Sequence, residues 1–172
     1  SWVHLDFQQS VKAGQSKRLR LEKGPRAQFE SKLRVEESED AVVVETGMIR
    51  ARVARGGFNV LDQVRTVGGD GGYTGLAVMH HRAGIVAWQD SVPYRSSHDE
   101  DSELVVESSG PMRVVLRSSG RLKSMEGDGL LHYICRLYFY NDSPVVRMAF
   151  TLENRDQVIQ NKVRLQGLHV EI

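Results

Sequence analysis

Two histidines, His80 and His81, follow an apolar run from Leu76 to Met79 that reads as a strand. Imidazoles bind metals and move protons near neutral pH, but neighbouring strand residues point to opposite faces, so the pair is a poor chelate. One ring at a sheet margin suits a general base or a contact to a sugar hydroxyl, against an ordinary surface or hydrogen-bonded role. Asp99, Asp101 and Glu103 alternate in "HDEDSE", and hard oxygen ligands at that spacing suit calcium. The glycine and distal glutamate of an EF-hand loop are missing, which leaves a solvated acidic loop as the competing reading. No other cofactor is called for.

Three aromatic residues, Trp88, Tyr94 and Tyr73, lie in or beside loops, where a ring can stack on the apolar face of a sugar. A ring at a strand end also packs under a loop with its polar group satisfied. The stretch "GGDGGYTG" lacks the Gly-Lys-Ser/Thr ending and the following helix of a phosphate-cradling loop, so it reads as a β-β connection. No Gly-x-Ser-x-Gly element surrounds a serine, and Cys135 lies in an apolar strand pattern without an activating neighbour. Nucleophilic catalysis has no support.

The elements that must hold these residues show period-two alternation from Lys32 onward. Leu33 and Val35 alternate with charged neighbours, Val42 and Val44 continue the pattern, and Ile49, Ala51 and Val53 alternate with Met48, Arg50 and Arg52. Gly56-Gly57 ends that strand, and a mixed apolar segment, Phe58 to Val64, follows. "TVGGDGGYTG", Thr66 to Gly75, has five glycines in ten residues and reads as a loop. Further strands are expected at Leu76 to Met79, Ile85 to Trp88, Glu103 to Glu107 and Met112 to Arg117, with a polar connection from Ser96 to Glu103.

In "RLYFYNDSPVVRMAFTLEN" and the residues before it, Leu131, Tyr133, Cys135, Leu137 and Phe139 share one strand face. His132, Arg136, Tyr138 and Tyr140 share the other. After the turn Asn141-Asp142-Ser143-Pro144, Val146, Met148, Phe150 and Leu152 form the return face, so Phe139 and Phe150 are expected in the core of a hairpin. A phase slip at Gln166-Gly167, between Val163/Leu165 and Leu168/Val170/Ile172, predicts a β-bulge. Segments Arg26 to Leu33 and Arg155 to Lys162 have room for a helical turn or two without a sustained helical stripe. Roughly ten to twelve short strands, about 8 to 12 residues apart, predict an all-β, mainly antiparallel β-sandwich with few or no helices.

At 172 residues the chain is long enough for a sizeable core. Its 23 basic and 22 acidic residues leave a net charge of +1, which gives no field for nucleic acid or an anionic membrane surface. The lone Cys135 forms no internal disulfide. The opening Ser-Trp-Val-His-Leu-Asp has no signal-peptide pattern, and aliphatic runs reach only four residues, as in Ala41 to Val44. The expectation is an internal fragment of a longer protein, without a signal peptide or membrane span.

Three stretches carry a family likeness: "WVHLDFQQSVKAGQSKRLRLEKG" (Trp2 to Gly24), "VETGMIRARVARGGFNVLDQVR" (Val44 to Arg65) and "YICRLYFYNDSPVVRMAFTLEN". Together they resemble the exo-rhamnogalacturonan lyase, or YetA-like, family of multidomain pectin-degrading proteins. The resemblance implies that residues 1–26 are a terminal strand or hairpin of a RIFT-type barrel. Residues 27–172 then form the central sandwich, of the galactose-mutarotase and lyase supersandwich type, followed in the parent by an α/α toroid. It implies β-elimination at a uronate in a secreted or periplasmic parent, and a non-catalytic role for this domain, supporting or lining one side of a carbohydrate cleft. The implied partners are carbohydrate and the adjacent domains. A stand-alone carbohydrate-binding module and a protein-interaction sandwich are the alternatives. No catalytic residue of the family transfers onto this chain.

Overall fold

A computed structural model of the chain describes residues 7–24, 29–78, 83–155 and 162–171. Among these residues twelve strands form two antiparallel sheets. The first sheet is a five-stranded meander in chain order: β1 (Arg34–Glu37), β2 (Ala41–Glu45), β3 (Ile49–Ala54), β4 (Gln63–Val67) and β5 (Tyr73–Val78). The second contains β6 (Gly84–Gln89), β7 (Val92–Arg95), β8 (Glu103–Ser109), β9 (Arg113–Lys123), β10 (Gly129–Tyr140), β11 (Val146–Glu153) and β12 (Gly167–Glu171). Its order is β11-β10-β9-β7-β6-β12, with β8 also paired to β9. The fold is the expected all-β, antiparallel sandwich.

Alternation decides which face is buried. Val42, Val44, Ala51 and Val53 of the first sheet share one core with Leu116, Tyr133, Leu137 and Phe139 of the second. All five apolar residues expected on the inner face of β10 are buried there. Each large side chain so enclosed stabilises the fold by about 1.5–3 kcal/mol relative to an exposed one. Phe58, from the loop after β3, plugs this core with its ring stacked on Tyr133 at a centroid distance of 5.8 Å. Buried Ser96 fixes the plug: its hydroxyl donates to the Phe58 carbonyl at 2.6 Å and accepts the Ile85 N–H at 2.9 Å.

The structure departs from the sequence reading in several places. The glycine-rich stretch is a hairpin, not a ten-residue loop, because β4 runs to Val67 and β5 starts at Tyr73. Residues 68–72 make its turn, with Asp70 accepting the Gly72 N–H at 3.0 Å. A short strand, β7, occupies Val92–Arg95, where Pro93 and only four residues hide the pattern. The helical element among the described residues is a 3-10 turn at Ser96–His98, inside the polar connection. Residues 29–33 are not helical, and most of the second helical candidate lies outside the described residues.

The phase slip at Gln166-Gly167 is not a bulge. β12 begins at Gly167 and pairs with β6 in unbroken register, whereas residues 162–166 lie outside any strand. Phe150 is also not a core residue. It sits on β11, at the edge of the seven-stranded sheet, and remains 39 % exposed, while Phe139 on the interior strand β10 is fully buried.

Candidate functional site

Among the described residues, the outer face of the five-stranded sheet brings together arginines, carboxylates and an aromatic ring. Because Val42, Val44, Ala51 and Val53 turn inward, Val43, Glu45, Arg50 and Arg52 must turn outward. Arg50 stands opposite Glu45 on β2 and opposite Arg65 on β4, and Arg34 on β1 stands opposite Glu45. One row across four strands therefore reads Arg34, Glu45, Arg50, Arg65.

Tyr73 joins this face through a bulge. Arg65 pairs with Leu76 and the next residue, Thr66, pairs with Thr74, so β5 holds one extra residue, Gly75. Its φ of +61° is one a glycine adopts without a Cβ penalty. The extra residue reverses the side-chain phase, and Tyr73 lands on the outer face opposite Val67. There it separates two open depressions. One, of about 360 Å³, is lined by Arg50, Arg52, Gln63 and Arg65; the other, of about 390 Å³, by Lys32, Arg34, Glu45 and Gly47. Burial, and then the nearby charge of Glu45, raise the Tyr73 phenol above its ordinary pKa.

The arginines differ in their commitments. Arg50 pairs with Glu45 at 3.0 Å and Glu36 at 3.2 Å. Arg52 pairs with Asp40 at 2.7 Å and with Asp62. Asp62 is delivered by a tight turn in which Leu61 N–H donates to the Asn59 carbonyl at 3.0 Å, with Val60 at φ +71°. A γ-turn of this hand is rare, and a β-branched centre strains it further. Burial of Val60 at 4 % exposure holds it in place. Among the described residues, no carboxylate lies within ion-pair distance of Arg65 or Arg34.

The other residues singled out in the sequence are scattered. Tyr94 is half-buried on β7 and packs against the core, so its ring belongs to the interior of the sandwich. Trp88, half-buried near the end of β6, stands between Pro93 of β7 and Gly167 of β12. Both are on the seven-stranded sheet, away from the Tyr73 face. His80 and His81 lie outside the described residues.

The two aspartates of the acidic connection converge on Lys123, whose Nζ lies 2.6 Å from Asp99 and 3.2 Å from Asp101. Asp99 also accepts the Arg121 N–H at 2.6 Å. Gly120 permits this approach, because a Cβ there would lie 2.6 Å from the Asp99 carboxylate. Glu103 turns instead to Arg117, at 3.1 Å. Among the described residues, no three His, Cys, Asp or Glu side chains are placed to hold one metal ion. Cys135 is fully buried, and burial pushes its thiol up to about 12.

On the outer face of the seven-stranded sheet, Tyr138 lies under two guanidinium groups, Arg147 at 5.4 Å and Arg113 at 5.7 Å from the ring centroid. Arg136 beside it is held by both oxygens of Glu107, at 2.6 and 2.8 Å. Tyr138 thus has internal partners, unlike Arg65. Sequence reasoning singled out Tyr73 as a candidate but not the arginines that surround it. The Arg50-x-Arg52 alternation signals one basic face, whereas the opposition to Arg65 depends on a register that the sequence does not display.

These features define a class: an antiparallel β-sandwich whose candidate site is an open sheet face. Residues 33–172 match the family model of the PcRGLX-like protein central beta sandwich domain, and the chain belongs to that family. It is accordingly a β-sandwich domain of a rhamnogalacturonan-lyase-like protein. No curated protein matches the chain. Among the described residues no helix is long and apolar enough to cross a membrane.

Proposed function

We propose that this domain is a non-catalytic sandwich that lines one side of a carbohydrate cleft in its larger parent protein. The observation that carries the reading is Tyr73, turned outward by the Gly75 bulge between two open depressions of about 360 and 390 Å³. Both volumes fall in the range of about 300–1,000 Å³ common for ligand sites. An aromatic ring with polar neighbours suits a sugar, which has one apolar face and a rim of hydroxyls.

The non-catalytic part of the reading rests on charge. A lyase base must take a proton near neutral pH, and the Tyr73 phenol is shifted the wrong way. Arg50 and Arg52 are tied to carboxylates. The assignment of residues 1–26 to a separate neighbouring unit, a terminal strand or hairpin of the RIFT-type barrel, rests on the family resemblance, with residues 7–24 the part of it that the structure describes. They form no strand here, and Leu19 and Leu21, alternating with charged residues, are 52 % and 74 % exposed.

The test uses the 172-residue chain with rhamnogalacturonan oligosaccharides. Calorimetry is expected to detect binding that Tyr73→Ala weakens, and ultraviolet absorbance is expected to detect no unsaturated product. Cleavage by this chain would overturn the non-catalytic assignment; binding indifferent to Tyr73→Ala would overturn the site.

A further inference from the structure

We infer that the Tyr73 face contains a carboxylate-binding subsite, in which Arg65 on one side of the ring and Arg34 on the other pair with acidic units of a bound oligosaccharide. The inference rests on the reading of this face as carbohydrate-lining and adds the residues of this sheet that would select an acidic ligand over a neutral one.

The argument starts from an unfavourable arrangement. Arg50 and Arg65 are directly opposed on β3 and β4, and like charges in that relation destabilise a sheet. Glu36 and Glu45 neutralise Arg50, and Asp40 and Asp62 neutralise Arg52. Arg65 is left exposed beside them, with no carboxylate of the described residues in ion-pair reach.

The second depression repeats the pattern. Its Lys32 is paired with Asp142 at 2.9 Å, and Glu45, although opposite Arg34 in register, gives its carboxylate to Arg50. Among the described residues, each side of Tyr73 therefore keeps one guanidinium without a carboxylate partner. A guanidinium presents paired donors that match the two oxygens of a carboxylate, and its charge assists both hydrogen bonds. The ring supplies the stacking platform between them. A neutral polysaccharide would use the ring alone, whereas a chain bearing carboxylates uses all three groups.

The experiment titrates the 172-residue chain with a short de-esterified oligogalacturonate, with its fully methyl-esterified counterpart, and with inorganic phosphate. The variants are Arg65→Ala, Arg34→Ala, Tyr73→Ala and, as a control on the other sheet, Arg147→Ala. The acidic sugar is expected to bind at least about tenfold more tightly than its ester, and Arg65→Ala should remove most of that difference. Arg147→Ala should change nothing, and phosphate should compete only weakly.

Equal affinity for acid and ester, both lost in Tyr73→Ala, would sink the carboxylate subsite and leave the carbohydrate-lining reading standing. Acid binding unchanged in Arg65→Ala and Arg34→Ala would also sink it. Phosphate competing as well as the acidic sugar would show a general anion site and overturn the sugar assignment. A folded chain that binds rhamnogalacturonan oligosaccharides but neither of these two sugars would overturn the subsite alone, and one that binds none of the three would overturn both readings.

Discussion

The carboxylate of Asp99 meets the ammonium group of Lys123 at 2.6 Å while only 3 % of Asp99 is exposed. With the Arg121 N–H on its other oxygen, Asp99 clamps the acidic connection onto β9. Removing a buried acceptor leaves its donors unsatisfied, so Asp99→Ala should cost about 1–3 kcal/mol in urea unfolding. Asp101, 92 % exposed, should tolerate the same change within about 0.5 kcal/mol. Equal stabilities for the two variants would remove the clamp.

The unequal burial of the two hairpin phenylalanines has a direct consequence. Phe139→Ala should destabilise by about 3–5 kcal/mol, as expected for a fully enclosed ring. Phe150→Ala, at the partly uncovered edge, should cost less than half as much. Chemical denaturation of the pair decides the matter, and similar losses would mean that the edge is covered in solution.

Burial pushes both the Cys135 thiol and the Tyr133 phenol up to about 12, from ordinary values of 9.0 and 10.0. The folded state therefore keeps protons that the unfolded chain releases. Stability contributed by these groups is complete below about pH 9 and should fall as pH rises toward about 12. On the acid side, Arg136 holds Glu107, and Arg95 holds Glu171, below the ordinary carboxylate range. Their contribution is lost as pH falls below about 4.5. A stability profile flat from pH 9 to 12 would contradict the alkaline part. The native thiol should also resist alkylation at pH 8 and react once the chain unfolds.

Tyr94 and Tyr73 should separate stability from binding. Tyr94→Ala removes a ring packed on the core and should lower the unfolding midpoint while sparing oligosaccharide affinity among folded molecules. Tyr73→Ala should do the reverse. Affinity that instead follows Trp88→Ala or Tyr94→Ala would favour a binding module centred on the seven-stranded sheet.

Gly75 controls the direction of Tyr73. A β-branched residue at its φ of +61° is strained, so Gly75→Val should cost about 1–2 kcal/mol and weaken oligosaccharide binding. Gly75→Asn, better suited to that conformation, should keep more of both. Full binding by Gly75→Val would show that the bulge does not set the site.

The parts of the fold that could be read in advance are those decided by local alternation. The inner face of β10 is legible because each of its apolar residues lies on an interior strand, where period two and burial coincide. On β11 the same alternation is present, but an edge position decides how much of Phe150 is covered. β7 is hidden by its brevity and by Pro93. The Tyr73 site is half legible: a loop-side aromatic is visible, but the bulge and the Arg50–Arg65 opposition arise from pairing between strands. Lys123 as the partner of Asp99 and Asp101 is equally a product of tertiary placement.

The two sheets differ in how far the chain must travel to close them. Every ladder of the five-stranded meander joins consecutive strands, so it assembles from short loops. β12, by contrast, returns to β6, with Glu171 opposite Gly84, after all the intervening strands have been made. Closing that long a loop loses more chain entropy before any contact compensates. The β6–β12 ladder is therefore expected to form late in folding, and a nascent chain gains it only after residues 167–171 have emerged.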